Sequence, residues 1–279
     1  MVALLNAGPA KAQQAAGDLV AFGSRDRTGT QLAGWLWKPR GNAASYPAVV
    51  MLHGCGGALN NAGRVNSRTT DWADRLAAAG YVVLAVDSFG PRGIKSTCTK
   101  SAPRLAPSAR DDDALGALAW LRGLPIVQPD RVAVLGWSAG AQVVLSLAND
   151  REGKATGVSG GNFRAAVAFY PGCRGFNENT RWRTRIPLQI EMGAADDWTP
   201  PAPCQELVQR RQAAGDPIAI TLYPGAYHGF DAPNTKVQLR EGLARTADGT
   251  GRAHMGTDPM ARQAAITEVL TFLQHRLKD

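Results

Sequence analysis

One serine of this chain has a glycine two residues before it and another two residues after it, a pattern typical of a catalytic nucleophile. Ser138 lies in Gly-Trp-Ser-Ala-Gly (136–140), after the apolar run Val-Ala-Val-Leu (132–135) and before the Ala/Leu-rich stretch 141–148. A buried strand, a sharp turn at the serine and a helix form a nucleophile elbow. Glycines are required around the turn because side chains there would collide with the strand and the helix. We therefore predict that Ser138 attacks a carbonyl carbon.

A serine hydroxyl needs a histidine as base and an acid that orients this histidine. The chain has four histidines. His228 follows the last predicted strand, where the base belongs in the chain order serine, acid, histidine, and His254 is the alternative. After the preceding strand, Gly-x-x-Asp-x-x-x-Pro (193–200) offers Asp196 as the acid, with Asp197 as the alternative.

The tetrahedral intermediate of acyl transfer needs N–H donors for its oxyanion. One predicted donor is the backbone N–H of Ala139, directly after the nucleophile. The second is the backbone N–H of Cys55, in the loop His-Gly-Cys-Gly-Gly (53–57) that follows an early strand. We expect His53 to shape this loop and Cys55 to contribute only its backbone.

The four cysteines allow two disulfide bonds. Cys173 follows a strand end and Cys204 opens the helix after the next strand, so these two could meet at one rim of the sheet. This pairing leaves Cys55 with Cys98, and the alternative is four free thiols. No pair has the Cys-x-x-Cys spacing of a zinc site.

The predicted compartment is periplasmic or secreted, because disulfides persist in oxidising environments, with a cytoplasmic location as the alternative. Residues 1–16 begin with the apolar run Met-Val-Ala-Leu-Leu, and Ala-Lys-Ala (10–12) matches a signal-peptidase site. We expect residues 1–16 to be a tail or the remnant of a signal peptide, and residues 17–279 to form a single domain.

Strands alternate with helices along this domain, which predicts an α/β fold with a mostly parallel sheet covered on both faces. An antiparallel edge hairpin is expected at 18–24 and 31–39. The stretch 231–258 is predicted to be irregular and 259–277 to be the C-terminal helix.

Composition argues against two classes of partner. The net charge is +8, but the basic residues are dispersed, and no nucleic-acid-binding module surrounds the densest cluster at 181–185. No apolar run approaches the roughly 20 residues of a membrane span. We predict neither a nucleic-acid partner nor stable membrane insertion, and the sequence does not indicate an oligomeric state.

Four motifs together resemble the dienelactone hydrolase family of the α/β-hydrolase superfamily: 53–57, 136–140, 193–200 and 226–230 (Ala-Tyr-His-Gly-Phe). The resemblance implies an α/β-hydrolase fold with an eight-stranded sheet and no large cap domain, and Ser138, Asp196 and His228 as a triad. Dienelactone hydrolases proper carry cysteine at the elbow. The serine of this chain favours a more general esterase of the same family.

The expected activity is hydrolysis of a small carboxylic ester or lactone through an acyl-enzyme, with no cofactor and no metal. The residues that could bind the substrate are Trp137, Trp198, Tyr170 and Phe230, which flank the site in sequence, and Arg92 as the partner of a carboxylate. For the four aromatic residues the alternative is ordinary core packing, and for Arg92 it is a solvent-exposed side chain. Two other functions stay open: a serine peptidase of the prolyl oligopeptidase type, and a non-catalytic binding protein on a hydrolase scaffold.

Overall fold

The computed structural model describes residues 17–150 and 163–279. The prediction for residues 1–16 lies outside this range. Eight strands form the main sheet: β1 (Asp18–Gly23), β2 (Gln31–Trp37), β3 (Tyr46–Leu52), β4 (Val82–Asp87), β5 (Val127–Trp137), β6 (Ala165–Phe169), β7 (Leu188–Gly193) and β8 (Ile218–Tyr223). Their order in the sheet is β1-β2-β4-β3-β5-β6-β7-β8.

The main sheet contains both antiparallel and parallel strand pairs, and most of its pairs are parallel, as predicted. β1 pairs antiparallel with β2, and β2 pairs antiparallel with β4, so the predicted edge hairpin is confirmed. From β4 to β8 every pairing is parallel. The central strands are fully buried, as β4 and β6 show along their whole length, which explains why they read as continuous apolar runs.

Helices cover both faces of the sheet, and the described residues form no large cap. They are α1 (Ser67–Ala78), α2 (Pro107–Arg122), α3 (Ala139–Ala148), α4 (Arg174–Glu178), α5 (Ala202–Ala213) and α6 (Pro259–Leu277). α3 packs on β5 and β6, α5 on β8, and α6 on β5, β6 and β7. The predicted α/β-hydrolase architecture is confirmed.

The structure adds elements that the sequence pattern did not predict. The stretch 231–258, expected to be irregular, contains a two-stranded antiparallel ribbon, β9 (Gln238–Arg240) with β10 (Ala253–Met255). A bridge between His228 and Met255 ties this ribbon to the loop after β8. Strands of three residues are too short to show an alternating pattern.

Both predicted disulfide bonds are confirmed. Cys55–Cys98 joins the loop after β3 to the loop after β4, and Cys173–Cys204 joins the segment after β6 to α5. In the loop-entropy account each bond destabilises the unfolded chain by about 4 kcal/mol.

The turn between β5 and α3 brings backbone groups unusually close together. Ser138 has φ 52° and ψ −113°, a conformation that costs a residue with a side chain of order 1–3 kcal/mol. A β-carbon at Gly140 would lie 2.7 Å from the carbonyl oxygen of His53, and one at Gly136 would lie 2.5 Å from the carbonyl oxygen of Gly140. The two glycines therefore let α3 start directly above the end of β3.

Gly140→Ala should lower the free energy of unfolding by about 3 kcal/mol, because the new methyl group overlaps backbone atoms that cannot move away. The matched control is Gly175→Ala in α4, where an added β-carbon meets no atom within 4 Å. We expect the control to leave the free energy unchanged or to raise it by about 0.5 kcal/mol. Urea unfolding measures both, and equal effects would contradict the steric account of the turn.

Candidate active site

The loops after β5, β7 and β8 meet at the carboxyl edge of the parallel sheet, where ligand sites of open α/β sheets form. They carry Ser138, Asp196 and His228, respectively. Asp196 and His228 are both 3% exposed. His228 Nδ1 lies 2.8 Å from Asp196 Oδ2, within hydrogen-bond distance.

The Asp196 carboxylate is oriented by three donors besides the histidine. Its Oδ1 accepts the backbone N–H of Trp198 and of Thr199, at 3.0 and 2.8 Å. The Thr199 hydroxyl donates to Oδ2 at 3.1 Å and lies 3.2 Å from His228 Nδ1. With Nδ1 facing the carboxylate, Nε2 of His228 is the nitrogen that can take a proton.

The sequence pattern did not predict the contact of Thr199 with Asp196 and His228. The spacing Asp-x-x-Thr from Asp196 is the available signal, because an aspartate often bonds the backbone two and three residues later.

The two alternative residues form a separate pair. Asp197 Oδ2 lies 2.7 Å from His254 Nδ1, and Asp197 Oδ1 accepts the His254 backbone N–H at 2.8 Å. The side chains of Asp197 and His254 are 42% and 40% exposed, respectively. The structure therefore divides the four candidates into a buried pair and an exposed pair.

The loop 53–57 lies against the elbow. A β-carbon at Gly54 would lie 3.6 Å from Ser138 Cβ. Among the described residues, the backbone N–H groups of Cys55 and Ala139 donate to no protein acceptor, and the Ser138 hydroxyl has no protein hydrogen-bond partner. Both N–H groups are thus available to a ligand, as an oxyanion site requires.

A cleft of about 730 Å³ begins at Ala139 and runs along α3 to Ser146. Seven residues of helix span roughly 10 Å. The cleft is lined by Phe89, Leu105, Gln142, Val143 and Phe176 and, at its rim, by Lys100, Arg104 and Arg245. Its size and largely apolar lining fit a small organic molecule.

Three of the aromatic residues expected to line the pocket lie in the core. The side chain of Asp231, which is fully buried, accepts hydrogen bonds from Trp137 Nε1 at 2.8 Å and from the Tyr170 hydroxyl at 2.5 Å. Trp72 Nε1 donates to the same carboxylate at 2.8 Å. Phe230 is 0% exposed and packs on Tyr170. The core-packing alternative therefore describes Trp137, Tyr170 and Phe230, which do not line the cleft.

Tyr170 and Trp198 both contact the ring of His228. Their ring centres lie 4.5 and 4.7 Å from that of the histidine. Burial raises the pKa of Tyr170 well above its ordinary value, so the phenol stays protonated and donates to Asp231. Trp198 is 8% exposed and donates from Nε1 to the carbonyl of Ala244. These two rings hold the imidazole in place by packing.

The guanidinium of Arg92 is already paired with two carboxylates. It forms two hydrogen bonds to Asp113, at 2.8 and 2.9 Å, and one to Asp26 at 3.0 Å. Its side chain is 14% exposed. The structure thus supports neither of the two expectations for Arg92, a carboxylate partner for the substrate or a solvated side chain.

The described part of the chain holds neither a metal-binding cluster nor a membrane-spanning helix. No group of three or more histidine, cysteine, aspartate or glutamate side chains is arranged to hold a metal ion. None of the helices in the described part of the chain combines the length and apolarity that crossing a membrane requires.

Comparison with known proteins gives relatives of several activities. Dipeptidyl aminopeptidase BIII of Pseudoxanthomonas mexicana is 26% identical over 219 residues, which cover 68% of this chain and 31% of that protein. The quorum-quenching protein AidA of Acinetobacter baumannii is 32% identical over 136 residues, 47% of this chain and 39% of that protein. The chain therefore spans about a third of the length of these two relatives.

A solved structure is similar over nearly the whole chain. It is a dienelactone hydrolase-like promiscuous phosphotriesterase from metagenomic libraries, with a TM-score of 0.67 and 19% identity, covering 93% of this chain and 99% of that chain. At 19% identity this structural similarity shows only that the two chains share a fold. The sequence profile of the dienelactone hydrolase family matches residues 32–277. This chain belongs to the dienelactone hydrolase family.

Proposed function

We propose that the chain is a serine hydrolase that cleaves carboxylic esters or lactones through an acyl-enzyme. The observation that carries the proposal is the buried hydrogen bond between His228 and Asp196, at the same sheet edge as the elbow serine. A hydroxyl is a weaker nucleophile than a thiol at neutral pH, so a serine at the elbow depends on such a base.

In the proposed reaction, Ser138 Oγ attacks the ester carbonyl while His228 Nε2 takes the hydroxyl proton. Asp196 stabilises the imidazolium that forms and keeps its orientation. The Cys55 and Ala139 N–H groups bind the oxyanion. The imidazolium then protonates the leaving alcohol, and a water molecule activated by His228 hydrolyses the acyl-enzyme. The reaction needs no metal or cofactor, since each proton has a donor and an acceptor within this set.

The cleft beside Ala139 is the proposed site of the apolar part of the ester. It starts at an oxyanion donor and follows α3, so a substrate held at Ser138 can extend into it. The substrate is proposed to be a small molecule.

The exposed pair of His254 and Asp197 is not part of the proposed mechanism. Its hydrogen bonds tie the loop after β7 to β10, so the pair holds the ribbon near the site. The exposure of both side chains means that solvent screens their interaction, and the pair contributes at most about 1 kcal/mol to stability.

We also propose that the protein works in an oxidising, exported compartment, on the basis of its two disulfide bonds. Fractionation of the native host should place the chain outside the cytoplasm, with all four cysteines resistant to thiol labelling before reduction. Recovery of labelled cysteines from a cytoplasmic fraction would contradict this proposal.

The wild type should hydrolyse p-nitrophenyl esters between acetate and octanoate, and Ser138→Ala should lower kcat by at least about 10⁴-fold, because the nucleophile is lost. The chain length with the highest kcat/KM measures the usable depth of the cleft. Activity that survives in Ser138→Ala would contradict the assignment of the nucleophile. A dipeptide p-nitroanilide in the same assay separates esterase from peptidase, and exclusive cleavage of the anilide would replace the ester proposal with the peptidase alternative.

Asp196→Asn should lower kcat by about 10⁴-fold, because the amide cannot stabilise the imidazolium and favours the wrong tautomer. Asp197→Asn is the matched control, since it makes the same change at the neighbouring position, and it should alter kcat less than about threefold. Steady-state kinetics on one ester measures both variants. A larger loss in Asp197→Asn would assign the acid and the base to the exposed pair.

A further inference from the structure

His53 is a buried histidine that the proposed reaction does not use as a base. It follows the end of β3 and is 4% exposed. Its ring packs against Phe89, with ring centres 4.5 Å apart. A buried imidazole needs hydrogen-bond partners for its nitrogens, and the identity of these partners shows what the ring does.

The two ring nitrogens of His53 face partners of opposite kind. Nε2 lies 3.3 Å from the backbone nitrogen of Ser88, which can only donate, so Nε2 is the acceptor. Nδ1 therefore carries the proton and donates to the carbonyl oxygen of Gly54 at 2.7 Å. These contacts assign one neutral tautomer to the ring.

The carbonyl of Gly54 belongs to the same peptide group as the N–H of Cys55. In a planar trans peptide the C=O and the N–H point in opposite directions, and the described chain has no cis peptide bond. A carbonyl held on the imidazole therefore fixes the direction of the N–H. We infer that His53 is a positioning residue of the oxyanion site, which aims the Cys55 N–H by holding the Gly54 carbonyl. This inference rests on the proposed function.

Other bonds hold the loop without replacing this one. Thr97 N–H donates to the carbonyl of Cys55, which belongs to the next peptide group, and the disulfide bond to Cys98 restrains the side chain. The remaining bond to the Gly54 carbonyl comes from the Gly57 N–H at the longer distance of 3.3 Å. The orientation of this peptide group therefore depends chiefly on the imidazole.

Burial, together with the positive charge of Arg110, keeps the ring of His53 neutral. Burial and the positive charge of Arg110 lower the pKa of His53 to about 3. Arg110 is buried as well, and its Nη2 donates to the backbone carbonyl of His53 at 2.6 Å. Asp87 Oδ1 lies 4.0 Å from Nε2 and already accepts two backbone N–H groups. At neutral pH the ring thus keeps its acceptor at Nε2 and its donor at Nδ1.

The test compares two variants with an amide side chain at position 53, each of which retains one of the two hydrogen bonds of the His53 ring. In His53→Asn the short side chain can still donate to the Gly54 carbonyl, whereas in His53→Gln the longer one can accept from Ser88 but leaves that carbonyl free. On a p-nitrophenyl ester we expect kcat to fall about 10- to 100-fold in His53→Gln and less than about fivefold in His53→Asn. KM should change less than about threefold in both. His275→Gln, on the exposed end of α6, is the control and should match the wild type.

A trifluoromethyl ketone gives a second readout, because its adduct with Ser138 carries an oxyanion. Its inhibition constant should rise in His53→Gln by about the same factor as kcat falls. Equal losses in the two amide variants, or a loss confined to KM, would overturn the positioning role. A wild type that hydrolyses no ester would instead overturn the proposed function, and the inference with it.

Nitrogen NMR of the unmodified protein tests the tautomer without any variant. The His53 ring should show a protonated Nδ1 and an unprotonated Nε2 at neutral pH. A proton on Nε2 would overturn the inference, because the ring could not then donate to the Gly54 carbonyl.

Discussion

The close approach of α3 to the end of β3 is the constraint on which the rest of the site depends. Gly136 and Gly140 leave no room for a side chain between strand, turn and helix. The contact forces Ser138 into a conformation with positive φ and sets the loop 53–57 against the elbow. The proposed oxyanion donors and the proposed nucleophile thus come together through backbone geometry.

Burial distinguishes the two neighbouring aspartates after β7. Asp196 is enclosed and receives bonds from two backbone amides and a threonine, so its carboxylate has one orientation. Asp197 is exposed, and its partner His254 is exposed as well. In a low-dielectric site an oriented carboxylate interacts strongly with an imidazolium, whereas water screens the exposed pair. The proposed division of roles follows from this difference.

The fold, the edge hairpin and both disulfide bonds could be predicted because they depend on local patterns and on chain order. The site aromatics could not, because nearness in sequence does not show which way a side chain points. Trp137 and Tyr170 turn into the core to meet Asp231, and their common partner is 94 and 61 residues away. Asp231 begins the stretch 231–258, which the sequence pattern predicted to be irregular. Its role as a shared acceptor depends on segments that only the fold brings together.

The most direct test of the proposed mechanism is the mass of the intact protein after treatment with a fluorophosphonate, followed by peptide mapping. Such a reagent phosphonylates an activated serine far faster than an ordinary hydroxyl group. The account predicts one adduct per chain, located on the peptide that contains Ser138 and absent in Asp196→Asn over the same time. No adduct, or an adduct on another residue, would contradict the central claim that Ser138 is the activated nucleophile.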